Sequence, residues 1–334
     1  MIVEHRASLI LFNVLSELKN KKQIFLLPAN TCPIVVLTYI KSGVSYELID
    51  IDPNTLCLDE DLVLEKLNRN PRMYGGVHYI HTYGVENNPY PFFQKVKLID
   101  SNIFIIDDKC LNIPKFQKNN IFNDVDLEFY STGYSKYIDI GWGGFGYLKS
   151  NIEYRRKILP YEPNDLHKLT RDLKNSFEKN SSFRYKESDW LGDSSFAVNQ
   201  DEYQKQIIER IGLVKQHKHN LNAIYARELP IEIQLQSIYQ NWRFNIFVPN
   251  RNELLNKIFD AGLFASAHYA SVAHMFGQSA AFHTERIDAN ILNLFNDLRF
   301  DVNSAEKVVS IIKKHLNEGG CSAHYQNQGP EISR

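Results

Sequence analysis

Apolar residues recur at helical spacing near the start of the chain, where Leu9, Phe12, Leu15 and Leu18 predict a helix along 9–18. The run IFLLP at 24–28 is short, apolar and closed by a proline, which predicts a buried strand. Residues 33–43 have the length of a helix and end at Gly43, a natural stop. YELIDID (46–52) predicts a strand running into a turn at Pro53 and Asn54. DEDLVLEKLNR (59–69) is an amphipathic helix with acids in its first turn, where the helix dipole favours them. GGVHYIHTYG (75–84) and NIFIIDD (102–108) add two strands. This alternation predicts an α/β fold, with a mostly parallel central sheet flanked by helices.

The texture changes after about residue 150. Residues 151–230 are polar and helix-rich, with strong helical periodicity along 206–229. A compact α+β pattern returns from 240: RFNIFVP as a strand, RNELLNKIFDAG as a helix ending at Gly262, ILNLF as a strand and SAEKVVSIIKKHL as the last helix. The expected organisation is a large α/β domain over 1–155 and a smaller C-terminal α+β domain over 156–334. The end of the second, GGCSAHYQNQGPEISR, reads as a flexible tail.

Composition narrows the class. The 334 residues suggest roughly two domains, and 43% hydrophobic with 23% charged residues is a globular mix. Lys and Arg number 38 against 39 Asp and Glu, without the basic excess that nucleic-acid binding needs. No apolar run reaches the ~18 residues of a membrane span, and the first apolar run lacks a small-residue cleavage site, so neither a membrane partner nor a signal peptide is expected. Cys32, Cys57, Cys110 and Cys321 form no CxxC pair and no zinc spacing. They read as reduced thiols of a cytoplasmic protein, with no metal site.

The common phosphate loops are missing: no GxGxxG follows the first strand, no GxxxxGK[ST] occurs, and HExxH and GxSxG are absent too. Ligands of open α/β sheets sit beyond the carboxyl ends of the strands. There the sequence places Asn30, Thr31 and Cys32; His81 and Tyr83; Asp107 and Asp108; and Ser131, Thr132, Ser135 and Lys136, followed by Gly141, Gly143 and Gly144. A single lysine at a strand end is ordinarily a solvated surface residue, and Asp ordinarily caps a turn. Together, a lysine, a carboxylate and nearby hydroxyls are what pyridoxal phosphate requires: an amine for its aldehyde, an anion for its ring nitrogen and donors for its phosphate.

Several stretches resemble the DegT/DnrJ/StrS family of sugar aminotransferases, which have the fold type I pyridoxal-phosphate transferase architecture. LLPANTCPIVVLTYIKSGVSYELIDIDPNTLCLD is similar to that family's P-x-x-T … G-x-x-P-x-x-x-D-I-D-x-x-T stretch. HTYG resembles H-x-Y-G, and IIDD resembles I-E-D. EFYSTGYSK with GWGGFGYL resembles F-S-x-x-x-x-K … G-x-G-G. AHYASVAH and ILNLFNDLRF resemble the small-domain H-Y-x-x-x-H and L-x-L-P segments. The likeness runs in order over roughly residues 5–315.

The resemblance implies roles residue by residue. Lys136 matches the Schiff-base lysine, and Asp108 the carboxylate that pairs with the pyridine nitrogen, with Asp107 in the place of the neighbouring Glu. Ser131 matches a phosphate-binding serine. Ala7 and Ser8 fall at the phosphate turn opening a helix, whose N-terminus suits an anion. Cys32 takes the place of the aromatic ring that stacks on the cofactor. The family acts on keto sugars, commonly nucleotide-linked, with glutamate as the usual donor, and forms homodimers with sites at the interface. Substrate candidates are His81 and Tyr83 at a strand end, His268, and Arg184 and Arg243 as bidentate partners of an anion.

The chain departs from the pattern at His5, where the family has Gly, at Cys32, and at Leu111, where it has a polar residue that Asn112 could replace. LGDSSFAVN (191–199) stands in place of the G-x-N-x-R stretch that reaches the neighbouring subunit. Two alternative readings follow. One keeps the cofactor for a dehydratase or lyase reaction, although the related sugar dehydratases carry His where this chain has Lys136. The other is a catalytically silent homologue that binds a nucleotide sugar or a partner protein.

Overall fold

The computed structural model describes residues 1–18, 23–116, 124–192, 199–277 and 281–318. In chain order its elements are β1 (Ile2–Glu4), α1 (Ala7–Glu17), β2 (Ile24–Pro28), α2 (Pro33–Ser42), β3 (Tyr46–Ile49), α3 (Glu60–Arg69), β4 (Tyr74–Ile80), α4 (Tyr90–Ile99), β5 (Phe104–Asp108), β6 (Leu127–Ser131) and β7 (Gly144–Leu148). They continue as α5 (Pro163–Glu178), α6 (Gln200–Glu228), β8 (Phe244–Phe247), α7 (Arg251–Asp260), β9 (Ala265–Ser266), α8 (Phe282–Asn290), β10 (Ile291–Leu294) and α9 (Val302–Glu318).

Strands β1 to β7 make one sheet in the order β1-β7-β6-β5-β4-β2-β3. The pairs from β3 across to β6 are parallel, and β7 and β1 close one edge antiparallel. The expected mostly parallel sheet is the one found. Side chains of successive strand residues alternate between faces. Ile106 and Phe129 therefore pack with α1 and α2 residues such as Leu11, Leu15 and Val36, whereas Ile105 and Val77 pack with Val63, Leu67, Phe93 and Val96 of α3 and α4. Local chemistry sets the helix ends. Pro33 opens α2, and Gly43, at φ 72°, closes it with its N–H on the carbonyls of Tyr39 and Ile40. The Asp59 carboxylate caps α3 by accepting from the Leu62 N–H.

Strands β8, β10 and β9 form a second, antiparallel sheet. Leu254 and Ile258 of α7 and Val308 and Ile312 of α9 pack on it.

The change in texture at 155 does not mark a change of packing partner. Leu169 and Leu173 of α5, with Trp190 and Leu191, bury against Leu9, Phe12 and Leu37, which belong to α1 and α2. The segment is polar because only one stripe of α5 is covered, which suffices to fix a surface helix. The transition lies inside α6. Its Tyr203, Ile207 and Val214 pack with Val3, Tyr130 and Phe145 of the large sheet, and its Leu221, Ile224 and Tyr225 pack on the small one. Strand residues 46–52 also end earlier than expected, at Ile49, and Asp50 caps α8 instead, accepting from the N–H groups of His283 and Thr284 at 2.8 and 2.9 Å. Residues 82–84, expected to finish a strand, form a single tight turn with Tyr83 at φ 55°. The tail beyond 318, with Cys321, lies outside the described residues. No helix among the described residues is long and apolar enough to cross a membrane.

Candidate active site

The carboxyl ends of β2, β4, β5 and β6 and the start of α1 surround a cavity of about 600 Å³. Ala7, Ser8, Cys32, Asp108, Ser131 and Lys136 all line it. Residues up to 129 apart in sequence therefore converge on one space.

Asp108 ends β5 on the face covered by α1 and α2. Its Oδ2 lies 3.2 Å from Nε2 of His78, and its Oδ1 accepts from the Cys110 N–H at 2.8 Å. The ring of His78 is fully buried, with Nδ1 3.1 Å from the hydroxyl of Tyr39. Nε2 carries the hydrogen that Asp108 accepts. Burial alone would raise the pKa of Asp108. The hydrogen bond and charge of His78 and the Cys110 N–H outweigh it and hold the carboxyl below the usual carboxylate range.

Asp107 points to the opposite face. His81 Nε2 lies 2.8 Å from its Oδ1 and Lys109 Nζ 2.8 Å from its Oδ2, and Lys109 also pairs with Glu128 at 2.7 Å. Adjacent carboxylates thus each have a histidine from β4 or its end, on opposite sides of the sheet. His81, expected as a substrate residue, belongs to this buried network and does not line the cavity.

Lys136 comes from the loop between β6 and β7. Asp139 organises that loop, accepting from the N–H groups of Ser135 and Gly141 at 2.9 and 2.8 Å. Lys136 is half-buried and reaches the cavity opposite Asp108. Burial opposes its ammonium, but the oxygens and sulfurs around it, those of Tyr269, Cys110, Cys32 and Asp108, outweigh that and raise its pKa above the ordinary lysine value. Burial pushes the thiol of Cys32 up and that of Cys110 well up, so both are protonated at neutral pH.

The loop returns through Gly143 and Gly144, where the backbone presses against the start of α1. A Cβ on Gly144 would lie 2.6 Å from the Ala7 nitrogen, and one on Gly143 2.7 Å from the ring of Tyr203. Helix α1 begins with no side-chain cap, and Ala7 and Ser8 of its first turn line the cavity together with Ser131. In the cavity wall the buried Thr31 Oγ1 and Asn30 Oδ1 have no hydrogen-bond partner among the described residues. An uncapped helix start, a serine hydroxyl, a carboxylate held ionised, a lysine and the unpartnered Thr31 hydroxyl fit an anionic, heteroaromatic aldehyde.

The remaining substrate candidates stand elsewhere. Tyr83 is buried, its ring parallel to that of Trp242. Arg243 is buried against Asp297 at 2.7 Å. Arg184 is exposed and His268 is exposed beside Trp242, and neither lines the cavity. Asn112 donates to the carbonyl of Val85 at 3.1 Å, which takes it away from the place left by Leu111. Thr132 is buried on the carbonyl of Trp142 and the hydroxyl of Tyr203. Residues 193–198, most of the stretch compared with G-x-N-x-R, lie outside the described residues. The sequence candidates did not include Tyr269, which lines the cavity one position after His268, nor His78, the partner of Asp108. Strand parity held the signal for His78: Ile80 is in register with Asp108, so His78 shares its face.

No family model matches the chain, and no curated protein sequence does. Solved structures do. The sugar aminotransferase CalS13 from Micromonospora echinospora is 17% identical, with a TM-score of 0.66 over 94% of this chain and 86% of that one. A DegT DnrJ EryC1 StrS aminotransferase from Brucella abortus is 13% identical, with a TM-score of 0.65 over 94% and 85%. NtdA from Bacillus subtilis, solved with bound cofactor PMP, is 18% identical, with a TM-score of 0.64 over 95% and 74%. The chain has the fold of these aminotransferases, the fold type I architecture expected from the sequence.

Proposed function

We propose that this chain is a pyridoxal-phosphate-dependent aminotransferase that converts a keto sugar, nucleotide-linked, to an amino sugar with glutamate as the amino donor. One observation carries the reading: Lys136 and Asp108, from different strand ends, face a single cavity that also opens on the N-terminus of α1 and on Ser131. The folds named above support it, as does the ordered resemblance along the chain.

When bound, pyridoxal phosphate supplies an aldehyde that condenses with amines and a protonated ring that draws electrons from the carbon beside the amine nitrogen. Lys136 would hold that aldehyde through Nζ. When free, the same Nζ would serve as the base and acid that moves a proton from one carbon to another. Asp108, ionised through His78 and the Cys110 N–H, would keep the proton on the ring nitrogen. Ser131, Ser8 and the first-turn N–H groups at Ala7 and Ser8 would receive the phosphate. Cys32 would pack on the ring face, where a protonated thiol acts as a small hydrophobe.

The active form in this reading is a cytoplasmic homodimer with its sites at the interface. Half-reactions test the function. The protein loaded with pyridoxal phosphate should lose its visible band on addition of glutamate and regain it with a nucleotide-linked keto sugar. A band that survives every amino acid tried, or one discharged by an amino donor and restored only by non-sugar ketones, counts against the proposal.

A further inference from the structure

Ser135, the residue before Lys136, has φ 60°. This is the left-handed region, which a residue with a Cβ enters only when its surroundings hold it there. Its N–H is held within its own loop by Asp139. Its other two polar groups are held from outside. The indole Nε1 of Trp242 donates to the Ser135 carbonyl at 2.7 Å, and Nη2 of Arg243 lies 3.3 Å from the Ser135 hydroxyl.

Trp242 and Arg243 immediately precede β8, and they are themselves fixed. Arg243 Nη1 donates to Asp297 Oδ2 at 2.7 Å, just beyond β10, and its guanidinium lies 3.6 Å over the ring of Phe295. Lys218 Nζ, buried in α6, donates to the Trp242 carbonyl at 2.8 Å and to Asn296 Oδ1 at 2.7 Å. The Trp242 ring stacks on that of Tyr269 at 5.9 Å with 17° between planes, and Tyr269 lines the cavity. Arg299 joins Asp297 to Asp139, 3.1 Å from each, so the internal and external holds on Ser135 meet at one guanidinium.

We infer that Trp242 and Arg243 are positioning residues: from the end of the small sheet they clamp Ser135 in the left-handed conformation from which Lys136 enters the cavity. The inference rests on the reading of Lys136 as the cofactor-binding lysine. It assigns Arg243 a task other than substrate binding, and it makes attachment of the cofactor depend on the docking of the small sheet.

The test is the rate at which apoprotein develops its visible band with pyridoxal phosphate, measured for Trp242→Phe and Arg243→Gln, each in the wild-type background and in a Ser135→Gly background. Trp242→Phe removes the indole donor and keeps a stacking ring. Arg243→Gln leaves Asp297 paired with Arg299. Each should slow band formation by about tenfold when Ser135 is present, the scale of one lost hydrogen bond to or from a charged or well-aligned group. In the Ser135→Gly background each should slow it less than about threefold, because glycine adopts positive φ without a steric cost. Equal slowing in both backgrounds, or no slowing in either, overturns the clamp. If Arg243→Gln does not fold, Trp242→Phe alone decides. Lys136→Ala is run beside them: a band that persists there overturns the reading of Lys136 itself, whatever the clamp variants do.

Discussion

His78 Nε2 and Asp108 Oδ2 lie 3.2 Å apart, on neighbouring parallel strands and on the same face of the sheet. This pair keeps a buried carboxyl ionised at the edge of a cavity that would otherwise favour its neutral form. Replacing His78 with Ala removes the hydrogen bond and charge that offset burial, so the pKa of Asp108 rises. At any given pH a larger fraction of Asp108 is then protonated. The half-reaction should slow by about tenfold or more near neutral pH, and its acid limb should move to higher pH. A pH profile of the single-turnover rate checks both.

Asp107 and Asp108 are neighbours with opposite duties, and their variants should separate. Asp107→Asn disturbs the network of His81, Lys109 and Glu128 on the far face and should cost about 3 kcal/mol of stability, with cofactor binding kept. Asp108→Asn should fold and bind the cofactor weakly, with the half-reaction lost. Denaturation and absorbance titration on the two proteins give the comparison.

The same carboxylates predict how stability depends on pH. Both have folded pKa values below the ordinary one. A depressed carboxyl contributes stability that is present above its unfolded pKa, about 3.9, and lost as pH falls through the folded value. The melting temperature of the wild type should therefore drop as pH is lowered below about 4. Asp107→Asn should start lower at neutral pH and fall less steeply in acid. A melting series from neutral to acid pH measures the slope.

Gly144→Ala places a methyl 2.6 Å from the Ala7 nitrogen and must displace the start of α1. Overpacking of this kind costs about 1–3 kcal/mol, and the displaced helix start should weaken cofactor binding by at least about tenfold. Gly141→Ala, with nothing within 4 Å of its Cβ but φ 82°, is the comparison for backbone strain without the clash. Equilibrium titration with pyridoxal phosphate should rank Gly144→Ala as the weaker binder.

The sheet was legible because each strand of its core is a short apolar run with a turn or proline at its end, as IFLLP and NIFIIDD show. Asp108 and Ser131 were legible because strand ends have local signatures, and Ala7 and Ser8 through the resemblance. What pairs with what was not. Choosing His78 over His81 requires the register between β4 and β5, a relation between segments about 30 residues apart that neither segment carries alone. The polar stretch of α5 hides its attachment to α1 and α2, because four residues of one stripe do the packing. Ser135 reads as an ordinary loop serine, and its left-handed backbone depends on Trp242 and Arg243, more than 100 residues later.

The most direct measurement is the site of covalent attachment. Apoprotein mixed with pyridoxal phosphate and reduced with borohydride is digested, and the peptides are weighed. The pyridoxyl phosphate mass is expected on the peptide carrying Lys136, accompanied by a visible band before reduction, and both should vanish in Lys136→Ala. A label found on another lysine, or a band unchanged by Lys136→Ala, would contradict the account.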